Sequence, residues 1–361
     1  MSANEIIASL HRGNRIDSSD GLELFQHATL PELAWAADLV CNTKYPSKLK
    51  TYIIDRNINY TNICTSGCGF CAFYREPDNE LGYVLTNEQI MDKIDEAVEL
   101  GATQILMQGG LHPKLRIEYF ESLFRDIKQQ FPIQLHSLSA PEIAHIADIS
   151  DLSIKETLER LHGAGLDSLP GGGAEILVDE VRTRVSPKKC SADVWLNVMR
   201  SAAVIGMRAT ATMVFGMGES LTYRIAHMQK IRDLQDEAGV FTAFIPWTYQ
   251  PGNTALGGRT AGGHDYLRTL AISRMFLDNI ANVQASWVTQ GKAIAQLALR
   301  FGANDIGSTM IEENVVAATG VSHSLGESDL INLIHNAGFD AAQRTTQYDI
   351  LKTHMRGSLS I

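Results

Sequence analysis

Three of the five cysteines of the chain lie close together, at Cys64, Cys68 and Cys71. Gly67 and Gly69 between them allow the backbone to turn tightly, so that the three thiols can reach one metal centre. A closed structural zinc site has four protein ligands, and ferredoxin-type iron–sulfur clusters are usually held by four thiolates. Because this loop offers three, the spacing predicts an iron–sulfur cluster in which one iron stays open to an exchangeable ligand.

The alternative is a zinc site whose fourth ligand comes from a distant residue such as His112 or His136. In that case the protein would be a metal-stabilised binding or electron-transfer module without catalytic activity. Cys41 and Cys190 stand alone in helical patterns, and we interpret them as small buried hydrophobic residues. The cysteines therefore predict one metal centre and a reducing compartment rather than a disulfide framework.

The cysteine spacing, the aromatic residue before the last cysteine and a strand-like run upstream together resemble the signature of the radical S-adenosylmethionine (SAM) enzymes. In that family three thiolates hold a 4Fe-4S cluster, and SAM chelates the open iron. An electron from the cluster cleaves SAM to a 5′-deoxyadenosyl radical, which abstracts a hydrogen atom from carbon. The resemblance implies both cofactors, a small-molecule substrate and an electron donor such as flavodoxin or ferredoxin.

The Gln108-Gly109-Gly110 turn follows a predicted buried strand, and its glycines would let a ligand approach the backbone closely. The resemblance places this turn against the methionine amino group of SAM, and it places Phe70 and Tyr74 near the adenine. The alternatives are a simple tight turn and two aromatic side chains that belong to the core.

Further polar side chains follow predicted strands. Ser139 and Glu142 could present oxygen atoms to SAM or substrate, although Glu142 could instead cap the next helix. The glycine-rich stretch around Gly172 lacks the Lys-Ser or Lys-Thr of a P-loop, so we expect it to line a pocket by its backbone. Glu175 would then bond a ribose hydroxyl or an amine, or else act as a helix N-terminal acid. Arg182 is either a solvated residue or a carboxylate clamp.

Strand-like and helical patterns alternate along the chain from about residue 50 to 306. Such alternation predicts the α/β class, and the number of units favours a full or nearly full eight-stranded, TIM-like (β/α) barrel over residues 49–320. Residues 1–48 are predicted to form a helical N-terminal cap, and residues 321–361 a helical segment packed on the barrel. In such barrels the active site lies at the carboxyl ends of the strands, where the cysteine loop and the Gly-Gly turn both occur.

The formal net charge of −10 argues against a broad basic surface for nucleic acid. The N-terminal residues lack a basic region followed by an apolar core, and no apolar run approaches the roughly 20 residues that cross a bilayer. We therefore expect a cytoplasmic protein with no nucleic-acid or membrane partner.

The later loops narrow the resemblance. Residues 169–176, 244–247, 284–291 and 301–314 are similar to motifs of radical SAM enzymes that make menaquinone precursors from futalosine or assemble the deazaflavin chromophore. Over residues 50–320 the chain looks most like cyclic dehypoxanthinyl futalosine synthase. We expect the substrate to contact residues in these loops and in the earlier glycine-rich and basic stretches: Gly172, Arg182, Trp247, Ser286, Trp287 and Gln290.

The resemblance implies that the adenosyl radical takes a hydrogen atom from ribose C4′ of dehypoxanthine futalosine. The carbon radical would add to the benzoate ring and close a spiro ring, and loss of an electron and a proton would restore aromaticity. A proton acceptor is then needed near the arene, and Asp305, Glu312 and His112 are unranked candidates. The alternative within the superfamily is an aminofutalosine synthase or a deazaflavin-forming enzyme.

Overall fold

The computed structural model describes residues 1–45 and 47–357. Three helices precede the sheet, namely α1 (Ala3–His11), α2 (Ser18–His27) and α3 (Leu30–Lys44). Each begins with a capping box, in which the N-cap side chain and the carboxylate three residues later bond to each other's backbone amides. The predicted N-terminal cap is thus helical; Pro46, which falls within it, lies outside the described residues.

The central sheet has seven parallel strands whose spatial order follows the chain. Strand β1 (Leu49–Ile53) leads after one residue into β2 (Asp55–Ile58), the first strand of this sheet. The sheet continues through β3 (Gln104–Met107), β4 (Gln134–Ser137), β5 (Ser168–Leu169), β6 (Arg208–Phe215), β7 (Phe241–Thr248) and β8 (Asn282–Val283). The connecting helices are α4 (Asn87–Glu99), α5 (Ile117–Gln130), α6 (Ala140–Ile149), α7 (Ile154–Ala164), α8 (Asp179–Val185), α9 (Ala192–Val204), α10 (Leu221–Ala238), α11 (Gly263–Phe276) and α12 (Trp287–Ala298).

One further parallel strand lies across the open side of this partial barrel. Strand β9 (Asp305–Ser308) pairs with β1, and Gln284, directly after β8, forms an isolated parallel bridge with Asp305. Backbone hydrogen bonds therefore continue from β8 through β9 to β1. The prediction of a nearly full (β/α) barrel is confirmed, and no described helix is both long and apolar enough to cross a membrane.

The C-terminal region differs from the prediction of a wholly helical segment. After α13 (Glu327–Asn336) the chain forms strands β10 (Asp340–Arg344) and β11 (Ile350–His354). Alanine, glutamine and arginine in β10 have good helix propensity, but β10 pairs in parallel with β1 and in antiparallel orientation with β11. The backbone hydrogen bonds of β1 and the burial of two alanines outweigh that propensity. Residues 358–361 of the predicted segment lie outside the described residues.

A buried ion pair fastens this hairpin to the barrel. Arg344 donates to both carboxylate oxygens of Asp305, at 2.5 and 3.1 Å. Asp305 is fully buried and also accepts hydrogen bonds from the Thr51 hydroxyl and the Gly307 amide. One carboxylate thus joins β1, β9 and β10.

The substitution Arg344→Met is expected to lower the free energy of unfolding by about 3–5 kcal/mol, because it leaves a buried carboxylate without its cation. As a control, Lys292→Met removes an exposed pair with Asp329 and should cost less than about 1 kcal/mol. Urea unfolding of both variants measures the difference. Equal losses of stability would show that the Asp305–Arg344 pair does not hold the hairpin.

Candidate active site

A cavity of about 390 Å³ lies inside the barrel and is lined by the inward-facing residues of the strands. On β2 and just beyond it, Asp55, Asn57 and Asn59 line the cavity, whereas the intervening Arg56 bonds to Glu96 on α4 outside. This period of two is that of a strand. The first strand of the sheet therefore places a row of polar side chains on the inner wall.

The cysteine loop lies above the carboxyl end of β2, and all three of its thiols line the cavity. Backbone hydrogen bonds fix the loop on several sides. The Cys64 amide donates to the Arg75 carbonyl at 2.8 Å, while Gly69 donates to Val185 at 2.9 Å and accepts from Leu256 at 2.7 Å. The loop is therefore positioned by segments that are distant in sequence, and not by its own turn alone.

The three thiols fit an iron–sulfur cluster better than a single zinc ion. Within the described ranges, no group of three His, Cys, Asp or Glu side chains converges on a site the size of one ion. Three thiolates are one short of the four protein ligands of a closed structural zinc site, whereas a 4Fe-4S cluster held by three thiolates keeps one iron open. Cys64, Cys68 and Cys71 would hold the cluster, whereas His112, proposed as a zinc ligand, does not line the cavity.

The Gln108-Gly109-Gly110 turn lies directly beside the cysteine loop. A Cβ on Gly110 would overlap the backbone carbonyl of Ile63, and a Cβ on Gly109 would lie 2.6 Å from the ring of Tyr60. Both positions therefore require glycine, because a larger residue would push the turn away from the cysteine-bearing segment. Gln108 and both glycines line the cavity, where their backbone is open to a ligand.

Hydrogen bonds to the Glu142 carboxylate fix the position of the Gln108-Gly109-Gly110 turn. This carboxylate accepts from the Gly109 amide at 2.8 Å, the Tyr60 hydroxyl at 2.9 Å and the Ser139 amide and hydroxyl at 2.7 and 2.5 Å. Ser139 and Glu142 also form the capping box of α6. Burial raises the pKa of Glu142, whereas these hydrogen bonds lower it. Glu142 is thus both a helix cap and a support of the turn.

A buried charge cluster lies on the other side of the cysteine loop. Glu175 forms ion pairs with Lys189 at 2.8 Å and with Arg182 at 3.3 Å. Glu175 and Lys189 line the cavity, and the Lys189 ammonium lies 5.1 Å from the centre of the Phe70 ring. Arg182 does not line the cavity, because its guanidinium is bonded to the carbonyls of Gly173, Ala174 and Cys190. The structure therefore does not support Arg182 as a substrate clamp.

Most of the other expected cofactor and substrate contacts face the same space: Phe70, Tyr74, Ser139, Gly172, Trp247, Ser286 and Trp287. The Trp287 indole donates to the Ser308 carbonyl at 2.9 Å, which orients its ring. Gln290 is the exception, since it does not line the cavity and donates to the Thr248 hydroxyl at 2.6 Å. Thr248 does not line the cavity either, so Gln290 is not placed to contact a substrate.

None of the three proton-acceptor candidates from the sequence lines the cavity. Asp305 is paired with Arg344, and Glu312 is paired with Arg56 and Lys93. The imidazole of His112 accepts from the backbone amide of Lys114 at 3.1 Å. Two of these candidates serve ion pairs, and the third lies in a loop outside the cavity.

The cavity also contains polar residues that the sequence analysis did not assign to a site. They lie along the sheet strands, directly after them and on the C-terminal hairpin: Asp55, Asn57, Asn59, Gln104, Thr210, Thr212, Gln284, Arg344, Thr346 and Tyr348. His136, considered earlier as a zinc ligand, also lines the cavity and bonds Ser168 at 2.7 Å. The sequence of β2 contained a signal for a polar cavity wall, because polar residues at alternate positions of a barrel strand need a reason to face inward.

Comparison with known proteins decides between the two interpretations of this site, a radical SAM iron–sulfur cluster and a zinc site. The model of the Radical SAM superfamily matches residues 58–231, and that of the CofH/MqnC C-terminal region matches residues 238–356. The chain is 47% identical to cyclic dehypoxanthine futalosine synthase of Halalkalibacterium halodurans, with 98% of this chain and 96% of the relative covered. The chain belongs to the cyclic dehypoxanthine futalosine synthase family of radical SAM enzymes. The predicted family is thereby confirmed.

Other relatives place this family member more precisely in the superfamily. The Streptomyces coelicolor enzyme of the same name is also 47% identical, with 95% of this chain and 87% of the relative covered. The 5-amino-6-(D-ribitylamino)uracil–L-tyrosine 4-hydroxyphenyl transferase of Methanopyrus kandleri is 36% identical, with 98% of both chains covered. The futalosine branch is therefore the nearer of these two.

Solved structures share the fold of this family member at low sequence identity. Methylornithine synthase (PylB) gives a TM-score of 0.74 at 16% identity, with 92% of this chain and 96% of that chain covered. The maturase HydG from Carboxydothermus hydrogenoformans gives 0.75 at 17% identity, with 96% and 80% covered. These matches show the fold, and superfamily membership implies a 4Fe-4S cluster and SAM as cofactors.

Replacing Cys64, Cys68 or Cys71 by alanine is expected to abolish cluster loading in each case, because three thiolates leave no spare protein ligand. Cys41→Ala and Cys190→Ala should keep the cluster, since neither residue lines the cavity. Iron and sulfide content and the visible spectrum after anaerobic reconstitution measure the effect. Full iron content in any variant of the first group would disprove the assignment.

Gly110→Ala is expected to weaken SAM binding by about five- to tenfold, because the overlap with Ile63 displaces the turn and one hydrogen bond is worth about 1–1.5 kcal/mol. Gly163→Ala is the matched control, since its Cβ would meet nothing within 4 Å on α7. Titration calorimetry with SAM on reconstituted protein of equal iron content gives both affinities. An unchanged affinity of Gly110→Ala would separate this turn from the SAM site.

Proposed function

We propose that the protein converts dehypoxanthine futalosine into cyclic dehypoxanthine futalosine in the futalosine route to menaquinone. Near full-length identity of 47% to two enzymes of that name supports the proposal. The structural observation that carries it is one cavity with three cysteines at one end and polar barrel side chains at the other. When bound, the cluster and SAM would supply a 5′-deoxyadenosyl radical, with a flavodoxin or ferredoxin as the proposed electron donor.

The cofactor end of the cavity would orient SAM through the backbone and one charge cluster. The Gly109–Gly110 backbone is open to the methionine amino group, and Phe70 and Tyr74 offer apolar surface to the adenine. Glu175 lines the cavity with its two cations behind it, so it can accept a hydrogen bond from a ribose hydroxyl without carrying an unpaired charge. With SAM held in this way, the radical would form on the cavity side of the cysteine loop.

The substrate end suits a sugar joined to an aromatic ring. Asn57 Oδ1 and Thr346 Oγ are buried on the cavity wall and have no hydrogen-bond partner among the described residues. Buried polar atoms of this kind normally have a partner, which the hydroxyl groups of a ribose can provide. Trp247 and Trp287 supply aromatic wall for the benzoate ring. The enclosed barrel keeps water away from a substrate radical.

A second candidate activity comes from the deazaflavin branch. The transferase relatives cover almost the whole chain at 36% identity, so a related addition of a radical to another acceptor is the alternative. An aminofutalosine-forming reaction is the other alternative in the superfamily. These activities use different substrates, and product analysis therefore separates them.

Reconstituted, reduced protein with SAM and dehypoxanthine futalosine is expected to give a product that has lost two hydrogen atoms, together with an equal amount of 5′-deoxyadenosine. Anaerobic incubation followed by mass spectrometry measures both. Deoxyadenosine without the cyclised product, combined with turnover of a sibling substrate, would move the protein to another branch.

The variant Trp287→Ala tests whether this cavity holds the substrate. Cyclised product should fall by about 100-fold, since small misplacements of a reactant have effects of that size, while SAM cleavage continues uncoupled. Trp35→Ala is the matched control, because this indole is 59% exposed on α3. Equal product from both variants would place the substrate elsewhere.

A further inference from the structure

Four carboxylate side chains of the described chain line the cavity, and three of them are fully engaged. Glu142 accepts four hydrogen bonds, and Glu175 is paired with two cations. Glu313 accepts the backbone amides of residues 315–317 with both oxygens. Because their oxygens are already bonded, none of these three carboxylates is free to accept a proton. The fourth carboxylate is Asp55.

Asp55 is differently bound from the other three. Gln104 Nε2 donates to one carboxylate oxygen at 2.8 Å, and the Ser308 hydroxyl donates to the other. Both donors are neutral, and a carboxylate has about four acceptor positions, so each oxygen keeps one position free. Asp55 is 2% exposed, and therefore a proton can reach these positions from within the cavity but not readily from bulk water.

The charges around Asp55 are fixed by their own partners. Arg344 on β10 faces Asp55 but is bonded to Asp305 on β9. His136 on β4 is held neutral, because burial lowers its pKa to about 3. Burial raises the pKa of Asp55 to about 6, against the opposing effects of its two hydrogen bonds and of Arg344. Asp55 is thus ionised at neutral pH, and among these groups it is the one suited to hold an extra proton.

The position of Asp55 also matches the order of events in the proposed reaction. Asp55 begins β2, and Asn59 just beyond its end lies near the Gln108 carbonyl, which it contacts at 3.1 Å. Four residues of strand span roughly 13 Å. The cofactor turn and Asp55 therefore lie at opposite ends of the cavity, with room for a substrate between them.

We propose, on the basis of the proposed function, that Asp55 is the proton acceptor that restores the aromatic ring after cyclisation. The substrate first loses a hydrogen atom from C4′ to the deoxyadenosyl radical, and the new C–C bond gives a ring-centred radical. Asp55 then takes the proton from the ring carbon that formed this bond. The remaining electron would leave to a one-electron acceptor, a role that the oxidised iron–sulfur cluster would supply when bound, so that the product lacks two hydrogen atoms and the charges balance.

The test compares Asp55→Asn, which keeps the size but not the basicity, with Asp55→Glu and with Asp95→Asn, an exposed control on α4. Each reconstituted protein is incubated with SAM and with substrate deuterated at C4′. In Asp55→Asn, cyclised product should fall by about 10²–10⁴-fold, the usual contribution of a general base, while deuterium still enters deoxyadenosine. Asp55→Glu should recover part of the product, and Asp95→Asn should match the wild type.

Several outcomes would overturn the inference. Wild-type levels of cyclised product from Asp55→Asn would do so, and so would loss of deuterium transfer together with product, because the residue would then act before the proton step. If Asp55→Asn does not bind its cluster, the pH dependence of the wild-type enzyme tests the proposal instead. Its ratio of cyclised product to deoxyadenosine should fall as the pH drops through about 6, and a constant ratio would contradict the proposal. A wild type that forms no cyclised product would overturn the proposed function itself.

Discussion

Closure of the barrel depends on the ion pair and the hydrogen bonds of the buried Asp305 carboxylate. This carboxylate accepts hydrogen bonds from Thr51 on β1, from the Gly307 amide on β9 and from Arg344 on β10. A buried charge is tolerated only when it is paired and hydrogen-bonded, so each of these three strands contributes to keeping this carboxylate buried. The hairpin that carries Arg344 also brings Thr346 and Tyr348 to the cavity wall. Closure therefore also completes the cavity.

Glu142 performs a similar task at the other end of the barrel. Its carboxylate bonds the Tyr60 hydroxyl just after β2, the Gly109 amide after β3 and Ser139 at the start of α6. Tyr60 precedes the cysteine loop by a few residues, so the loop and the Gly-Gly turn are positioned by one shared group. Displacing either would leave a buried carboxylate under-bonded, at a cost of several kcal/mol. The cluster ligands and the expected SAM contact are thus held in register before any cofactor binds.

The features that were predicted correctly from the sequence are those that depend on the spacing of residues close to one another in the chain. The barrel follows from the alternation of strand and helix, and the placement of Gly109 and Gly110 follows from their position after a strand. Two of the misassignments, Asp305 and Gln290, involve partners distant in sequence. Asp305 looked available as a base because Arg344, 39 residues away, was placed in an outer helix. The β-hairpin itself forms because β1 offers backbone partners, which a propensity argument does not take into account.

The polar residues on the inner wall of the cavity lower the stability of the fold, and this cost indicates that they serve to bind a ligand. Barrel interiors are usually filled by branched apolar side chains, yet here Asp55, Asn57 and Gln104 occupy the inner wall. Asn57 and Thr346 each have a buried oxygen without a partner in the described chain, and an unsatisfied buried group costs about 1–3 kcal/mol. A ligand that satisfies these atoms recovers that cost as binding energy. Because Asp55 begins β2 and the cysteine loop follows the other end of this strand, recognition of a substrate near Asp55 would be separated from radical formation at the cofactor.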